Sequence, residues 1–199
     1  MTASFSTPAE PQAIPAGRRA AGSVRVPPSK SLTHRYLNLA LLARRAVVIE
    51  RPLLAEDTRL FLAALAACGW QVEHRDGEVA LAPPAGTSRE APAGAPSVVA
   101  AAPPPAPEVE IFCGNAGTML RFLIASLTAL PGRWRLDGVA RLRERPVAPL
   151  VAALRGLGAG IRSTGRDGGL PLAIAGGTLS GGSTRLDAGD SSQDRKSVG

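Results

Sequence analysis

The sequence predicts an α/β fold made of repeated βαβαββ units, and three observations carry that prediction. A helical phrase closed by glycine occurs twice, as Leu62-Ala63-Ala64-Leu65 before Gly69 and Val151-Ala152-Ala153-Leu154 before Gly158, 89 residues apart (158 − 69). An Asp-Gly pair follows each phrase between short apolar runs, at Asp76-Gly77 and Asp167-Gly168, which is strand-turn-strand composition. Three stretches read as a strand running through a tight turn into a helix start: Val24 to Ser31, Val109 to Thr118, and Thr184 to Gln193. Repetition at a fixed spacing points to an architecture assembled from copies. Alternation of helix and strand within each copy makes it α/β.

In the first copy, Val24 to Val26 is the opening strand. Ser31 to Ala43 carries Leu32, Tyr36, Leu37, Leu39, Ala40 and Leu42 at helical spacing behind a serine, which predicts a helix. Ala46 to Ile49 is a short buried strand. Asp57 to Cys68 is a second helix, with Asp57 as its cap and Gly69 as its stop. Gln71 to His74 and Glu78 to Leu81 form a hairpin about Asp76-Gly77.

The second copy repeats the order. Val109 to Cys113 is a strand and Met119 to Leu130 a helix. Arg133 to Leu136 is the next strand, and Pro146 to Leu157 a helix with proline near its first turn and Gly158 after its end. Ala159 to Ser163 and Leu170 to Ile174 bracket Asp167-Gly168. A third copy begins at Thr184. Residues 1–21 read as a flexible N-terminal segment and 22–193 as one incomplete domain. Residues 83–107 are a Pro- and Ala-rich surface insertion without periodicity.

Composition removes several classes of function. With 45% hydrophobic and 20% charged residues over 199 positions, the chain has the makings of a folded core. The net charge of +7 is carried by scattered arginines with no basic block, and the 4% aromatic residues do not interleave with them. Neither a stacking platform nor a groove-reading helix for nucleic acid is predicted. No apolar run reaches membrane-spanning length, and the first seventeen residues lack a secretory pattern. Cys68 and Cys113 are too few for a disulfide framework and keep no metal-ligand spacing with His34 or His74. A cytoplasmic protein without a metal site is the expectation.

The chemistry lies at the helix starts. Backbone N–H groups in the first turn of a helix have no intrahelical acceptor, and small residues there let an anion approach the main chain. Gly114-Asn115-Ala116-Gly117-Thr118 has that form. Lys30 and Lys196 are the only lysines, and Lys30 sits inside the first helix start with Ser29, Ser31, His34 and Arg35. An ammonium there is a compact charge suited to phosphate or carboxylate, whereas the plain alternative is a solvated surface lysine. Three such starts predict one site for a multiply anionic small molecule.

Pro27-Pro28-Ser29-Lys30-Ser31-Leu32-Thr33-His34-Arg35, Gly114 to Arg121, Arg143-Glu144-Arg145-Pro146 and Asp187 to Gln193 follow one another in that order. Together they resemble the 5-enolpyruvylshikimate-3-phosphate synthase family from about Gly22 to Gln193. The resemblance implies the enolpyruvyl transferase fold, an inside-out α/β barrel of βαβαββ units, here with the third unit and the second domain truncated. It implies transfer of the enolpyruvyl group of phosphoenolpyruvate to the 5-hydroxyl of shikimate 3-phosphate, by addition and elimination, with release of phosphate. No cofactor or metal is implied, and the complete enzyme is expected to be a monomer.

Residue by residue, the resemblance makes Lys30 a contact of phosphoenolpyruvate that assists proton movement. Ser31 and Arg35 would hold shikimate 3-phosphate, and Asn115 and Gly117 would line the phosphoenolpyruvate pocket. Arg145 would pair with phosphoenolpyruvate, a guanidinium fork matching carboxylate or phosphate. Ser191 and Ser192 would donate to the shikimate phosphate, with Gln193 bridging both substrates. The competing structural roles are helix caps for Ser31, Thr118 and Ser191, and a surface ion pair of Arg145 with Glu144 or Asp137.

The sequence also departs from the family pattern. Pro28 stands where the family has glycine, and Leu120 and Phe122 where it has Met and Pro. Residues 194–199 do not continue the family's apolar helix. The family's general base and second domain are expected beyond that point, so the chain alone is expected to lack turnover. The alternatives are a relative acting on UDP-N-acetylglucosamine and an anion-binding domain without catalysis.

Overall fold

Residues 22–87 and 107–185 are described by the structure, a computed structural model. Helices form where Leu and Ala recur at helical spacing, strands where Val, Ile and Leu alternate with polar residues. The first unit comprises α1 (Lys30–Ala43), β1 (Val47–Glu50), α2 (Glu56–Ala67), β2 (Gln71–Arg75) and β3 (Glu78–Ala82). The second comprises β4 (Val109–Phe112), α3 (Gly117–Ala129), β5 (Gly132–Asp137), a short α4 (Ala140–Arg143), α5 (Ala148–Gly156), β6 (Gly160–Ser163) and β7 (Leu172–Gly176). The alternation of helix and strand in two repeated units expected from the sequence is the one observed.

Each unit builds its own sheet. The first has the antiparallel order β1-β3-β2, and the second the order β4-β5-β7-β6, in which β4 lies parallel to β5. The helices pack against one another between the sheets: α1 touches α2 and α3, α2 reaches β2 and β4, and α3 reaches β5 and β7. Helices therefore lie inside and sheets outside. Leu37, Leu41, Phe61, Leu65, Leu123, Ile124 and Leu127 are almost fully enclosed in that layer. Each such side chain stabilises the fold by about 1.5–3 kcal/mol through removal from water. One polar tie crosses the layer, Ser126 Oγ donating to Asn38 Oδ1 at 2.7 Å between α3 and α1.

The helix stops show how closely the copies agree. Beyond α2, Gly69 N–H bonds Ala66 C=O at 2.9 Å and Trp70 N–H bonds Leu65 C=O at 3.0 Å. Beyond α5, Gly158 N–H bonds Arg155 C=O at 2.9 Å and Ala159 N–H bonds Leu154 C=O at 3.0 Å. These are the same Schellman closure, with φ of 85° at Gly69 and 89° at Gly158, a conformation that glycine adopts without a Cβ penalty.

Several sequence expectations require correction. Among the described residues Val24 to Val26 pairs with no strand, and its two valines are exposed. Ser29, one residue ahead of the helix, caps α1 through its Oγ, which accepts Leu32 N–H at 3.3 Å, so Ser31 is not the cap. Asp57 lies within the first turn of α2, whose N-cap is Ala55 with no side-chain bond. The helix expected from Pro146 begins at Ala148, with Pro149 in its first turn, and α4 precedes it. Asp167-Gly168 lies within a longer loop, because Ser163 pairs with Leu172. By contrast, Arg75 pairs with Glu78 across the two-residue Asp76-Gly77 turn. Most of the 83–107 insertion, and the third strand-turn-helix start from Leu186 onward, lie outside the described residues.

Candidate functional site

A hydroxyl network sets the first helix starts side by side. Thr33 Oγ1 donates to Ser29 C=O and accepts Leu53 N–H, both at 3.0 Å, while Thr58 Oγ1 lies 2.5 Å from Leu53 C=O and 2.9 Å from Ala55 C=O. The segment before α2 is thereby pinned to α1. Its first turn brings Asp57 to Lys30, Nζ to Oδ2 at 3.0 Å. Arg35 lies one turn further along α1 and donates to Ser31 C=O at 3.1 Å. Ser31, Lys30 and Arg35 are all exposed at this end.

His34 lies beneath this pair. It is buried, its ring centroid 5.8 Å from that of Phe61, and its Nε2 has no hydrogen-bond partner. Burial pulls its pKa below the ordinary histidine value, opposed by a backbone hydrogen bond at Asp57 and that carboxylate's charge.

The second cluster forms at the start of α3. Cys113 C=O accepts Ala116 N–H at 2.9 Å, closing a turn whose first central residue is Gly114 at φ 54°. Leu60 of α2 packs so closely on Gly114 that an added Cβ would lie 2.6 Å from its Cδ1. The N-terminal half of α2 therefore touches both helix starts, through Asp57 and Leu60. Ala116 is the N-cap of α3 and offers no side-chain acceptor, so Thr118 does not cap the helix. Gly117 N–H is spent on Asn115 C=O at 3.0 Å, and the N–H groups of Thr118 and Met119 that follow remain available to an anion.

Two guanidinium groups gather there. Arg145 Nη2 donates to Asn115 Oδ1 at 3.2 Å, and Arg121 donates to Gly117 C=O at 3.1 Å and Pro146 C=O at 3.0 Å. A Cβ on Gly117 would lie 2.6 Å from Arg145 Nη1 and 3.2 Å from Arg121 Nη1, so only glycine leaves both heads in place. Burial, and secondarily the charge of Arg145, lowers the pKa of Arg121, which at arginine's basicity leaves it charged. Two like charges held together have one natural complement, an anion.

The ion-pair alternative for Arg145 is overturned. Asp137 is bound instead by Arg143, Nε to Oδ1 at 2.9 Å and Nη2 to Oδ2 at 2.6 Å. Those hydrogen bonds hold its carboxyl below the usual aspartate range. Among the described residues neither Arg121 nor Arg145 has a carboxylate partner.

Sequence reasoning missed Asp57 as the partner of Lys30, and Arg121 as the second cation. Arg121 stands four residues after Gly117, the spacing at which side chains share a helix face, and that spacing could have found it. Asp57 had no such signal, because its contact with Lys30 spans 27 residues. Ser191, Ser192 and Gln193 lie outside the described residues. No helix among the described residues is long and apolar enough to cross a membrane.

These features define a class: repeat-built α/β proteins that gather basic side chains over open helix starts to receive anions. The family model described as EPSP synthase (3-phosphoshikimate 1-carboxyvinyltransferase) matches residues 14–198, and the chain belongs to that family. It is 41% identical over 181 residues to the 3-phosphoshikimate 1-carboxyvinyltransferase of Bordetella pertussis, an alignment covering 90% of this chain and 37% of that protein. The protein of the same name from Opitutus terrae is 43% identical over 180 residues, covering 90% and 39%. Among solved structures, EPSP synthase from Acinetobacter baumannii superposes with a TM-score of 0.60 at 30% identity, covering 79% of this chain and 32% of that one. The chain thus spans somewhat over a third of the length of these relatives.

Proposed function

We propose that this chain forms the substrate-binding first part of an enzyme that transfers the enolpyruvyl group of phosphoenolpyruvate to the 5-hydroxyl of shikimate 3-phosphate. The hydroxyl oxygen adds to C2 of phosphoenolpyruvate as the methylene carbon takes a proton. Phosphate then leaves, and a proton lost from the new methyl group restores the double bond. Both substrates are multiply anionic, which is the demand that preorganised N–H groups and cations answer.

The observation that carries this reading is the pair Arg121 and Arg145 over the uncapped start of α3, with no carboxylate among the described residues to neutralise them. In this assignment Arg145, Asn115 and Gly117 receive phosphoenolpyruvate. Lys30, held by Asp57, contacts the same substrate and moves a proton, while Ser31 and Arg35 hold shikimate 3-phosphate. Ser191, Ser192 and Gln193 complete the shikimate side. The names of the relatives support the reaction, and the match of the four motifs supports the residue roles.

Titration calorimetry with shikimate 3-phosphate, then with phosphoenolpyruvate, tests it. Binding of both is the expected result, with phosphoenolpyruvate weakened and shikimate 3-phosphate kept in Arg145→Ala; heats unchanged by that substitution refute the assignment. Phosphate release by this chain alone is expected to equal the enzyme-free control, since the chain spans 37% of its Bordetella relative.

A further inference from the structure

Arg145 sits in a short segment whose two sides are held by different elements. On one side Arg143 grips Asp137 at the end of β5, Nε to Oδ1 at 2.9 Å and Nη2 to Oδ2 at 2.6 Å. On the other, Arg121 of α3 reaches across 25 residues to the carbonyl of Pro146, the residue directly after Arg145, at 3.0 Å. Between these ties Arg145 N–H bonds Leu142 C=O at 3.1 Å and Arg143 N–H bonds Val139 C=O at 3.2 Å.

The two guanidinium groups at the start of α3 are used differently. Arg121 turns both terminal nitrogens to backbone carbonyls, Nη1 to Gly117 at 3.1 Å and Nη2 to Pro146. Arg145 is held by one side chain, Nη2 donating to Asn115 Oδ1 at 3.2 Å, and its Nη1 lies over Gly117. Arg121 is therefore a brace, and Arg145 is the head left for a ligand. A planar guanidinium suits the brace, because two nitrogens at a fixed separation hold two carbonyls at once, whereas an ammonium is a single point.

We infer that Arg121 is a positioning residue, which sets the Arg145 guanidinium against the open Thr118 and Met119 N–H groups so that one anion meets both. The inference rests on the assignment of Arg145 to phosphoenolpyruvate and deepens it, giving that cation a fixed place before the substrate arrives. Ordering a loop and a long side chain on binding costs affinity, and a brace that orders them beforehand removes that cost.

Titration calorimetry on the whole chain, with phosphoenolpyruvate and with shikimate 3-phosphate, closes a cycle over Arg121→Ala, Arg145→Ala and the double variant. Arg121→Ala is expected to weaken phosphoenolpyruvate about tenfold when Arg145 is present and less than about twofold when it is absent, with shikimate 3-phosphate unchanged. Arg121→Lys keeps the charge without the fork and is expected to behave as Arg121→Ala. No loss in Arg121→Ala overturns the inference. So do equal losses in both Arg145 backgrounds, which make Arg121 a ligand contact, a parallel loss of shikimate 3-phosphate, which makes it a general stabiliser, or full affinity in Arg121→Lys, which leaves only its charge.

Hydrogen exchange without ligand reads the brace directly. In Arg121→Ala the Arg143 and Arg145 amides are expected to lose protection about tenfold while those of Leu123 to Leu127 keep theirs; unchanged protection at Arg145 overturns the inference. A wild-type chain that binds no phosphoenolpyruvate would refute the assignment of Arg145, and the exchange result would then decide the brace.

Discussion

The first and second units share helix stops and the register of their antiparallel strands, yet they treat their leading helices in opposite ways. Ser29 caps α1 and occupies a first-turn amide, leaving Lys30 to supply charge. Helix α3 has no side-chain cap and is roofed by two arginines. A duplicated scaffold thus carries two kinds of anion contact, one through an ammonium paired with a carboxylate and one through guanidinium groups and open N–H groups. The lesson is that the repeat determines where helix starts lie, and a few residues around each decide what it binds.

The comparison breaks most sharply at β7. A Cβ on Gly176 would collide with the carbonyl oxygens of Leu130 and Leu127 and the ring of Trp134. Backbone atoms cannot yield as a side chain does, so Gly176→Ala is expected to cost about 3 kcal/mol or more. The matching position in the first unit is Pro83, two residues past Leu81 as Gly176 is past Ile174, and Pro83→Ala should leave stability within about 0.5 kcal/mol. Urea unfolding of both variants checks the contrast.

At the anion sites, Arg145→Ala removes a charge-assisted contact of about 1.5–3 kcal/mol, so phosphoenolpyruvate affinity should fall about 10- to 100-fold. Equal losses from Arg145→Ala and Arg145→Lys would show that fork geometry matters as much as charge. The difference in capping is read by Ser29→Ala, expected to destabilise by about 1 kcal/mol, whereas Thr118→Ala should be nearly neutral because Thr118 caps nothing. Thermal melts distinguish the two.

The smallest effect is a pH dependence that belongs to the first unit. His34 is held below its unfolded value of 6.5 by burial, so the unfolded chain binds its proton more readily. Its contribution is fully present above about pH 6.5 and is lost as pH falls from there through the folded value. Denaturant midpoints at pH 7.5 and 5.5 should differ less in His34→Leu than in the wild-type chain.

Much of this was legible in the sequence because it is local. Gly69, Gly158, Asp76-Gly77 and the Leu-Ala helical phrases signal structure through their own backbone preferences, and the elements appeared where those signals fall. The α3 start was legible for the same reason, since Gly114 and Gly117 act on their own turn. What failed depends on partners. Val24 to Val26 has strand composition, but strands exist only when paired, and among the described residues it has no partner strand. Asp57 has the chemistry of a cap, but Lys30 claims it from another helix. Pro146 reads as a helix start, yet its carbonyl serves Arg121 instead.

The bond between Asn38 and Ser126 has a consequence for how the units are joined. It lies where α1 meets α3, with Ser126 enclosed and Asn38 half-buried. Greasy helix faces slide over one another with little preference among neighbouring alignments, but an amide and a hydroxyl meet in only one. Expressed separately, each unit would carry a stranded polar group on its docking face, which penalises self-association in the wrong alignment. The pair therefore acts as an alignment pin, giving the two copies a single way to recognise each other.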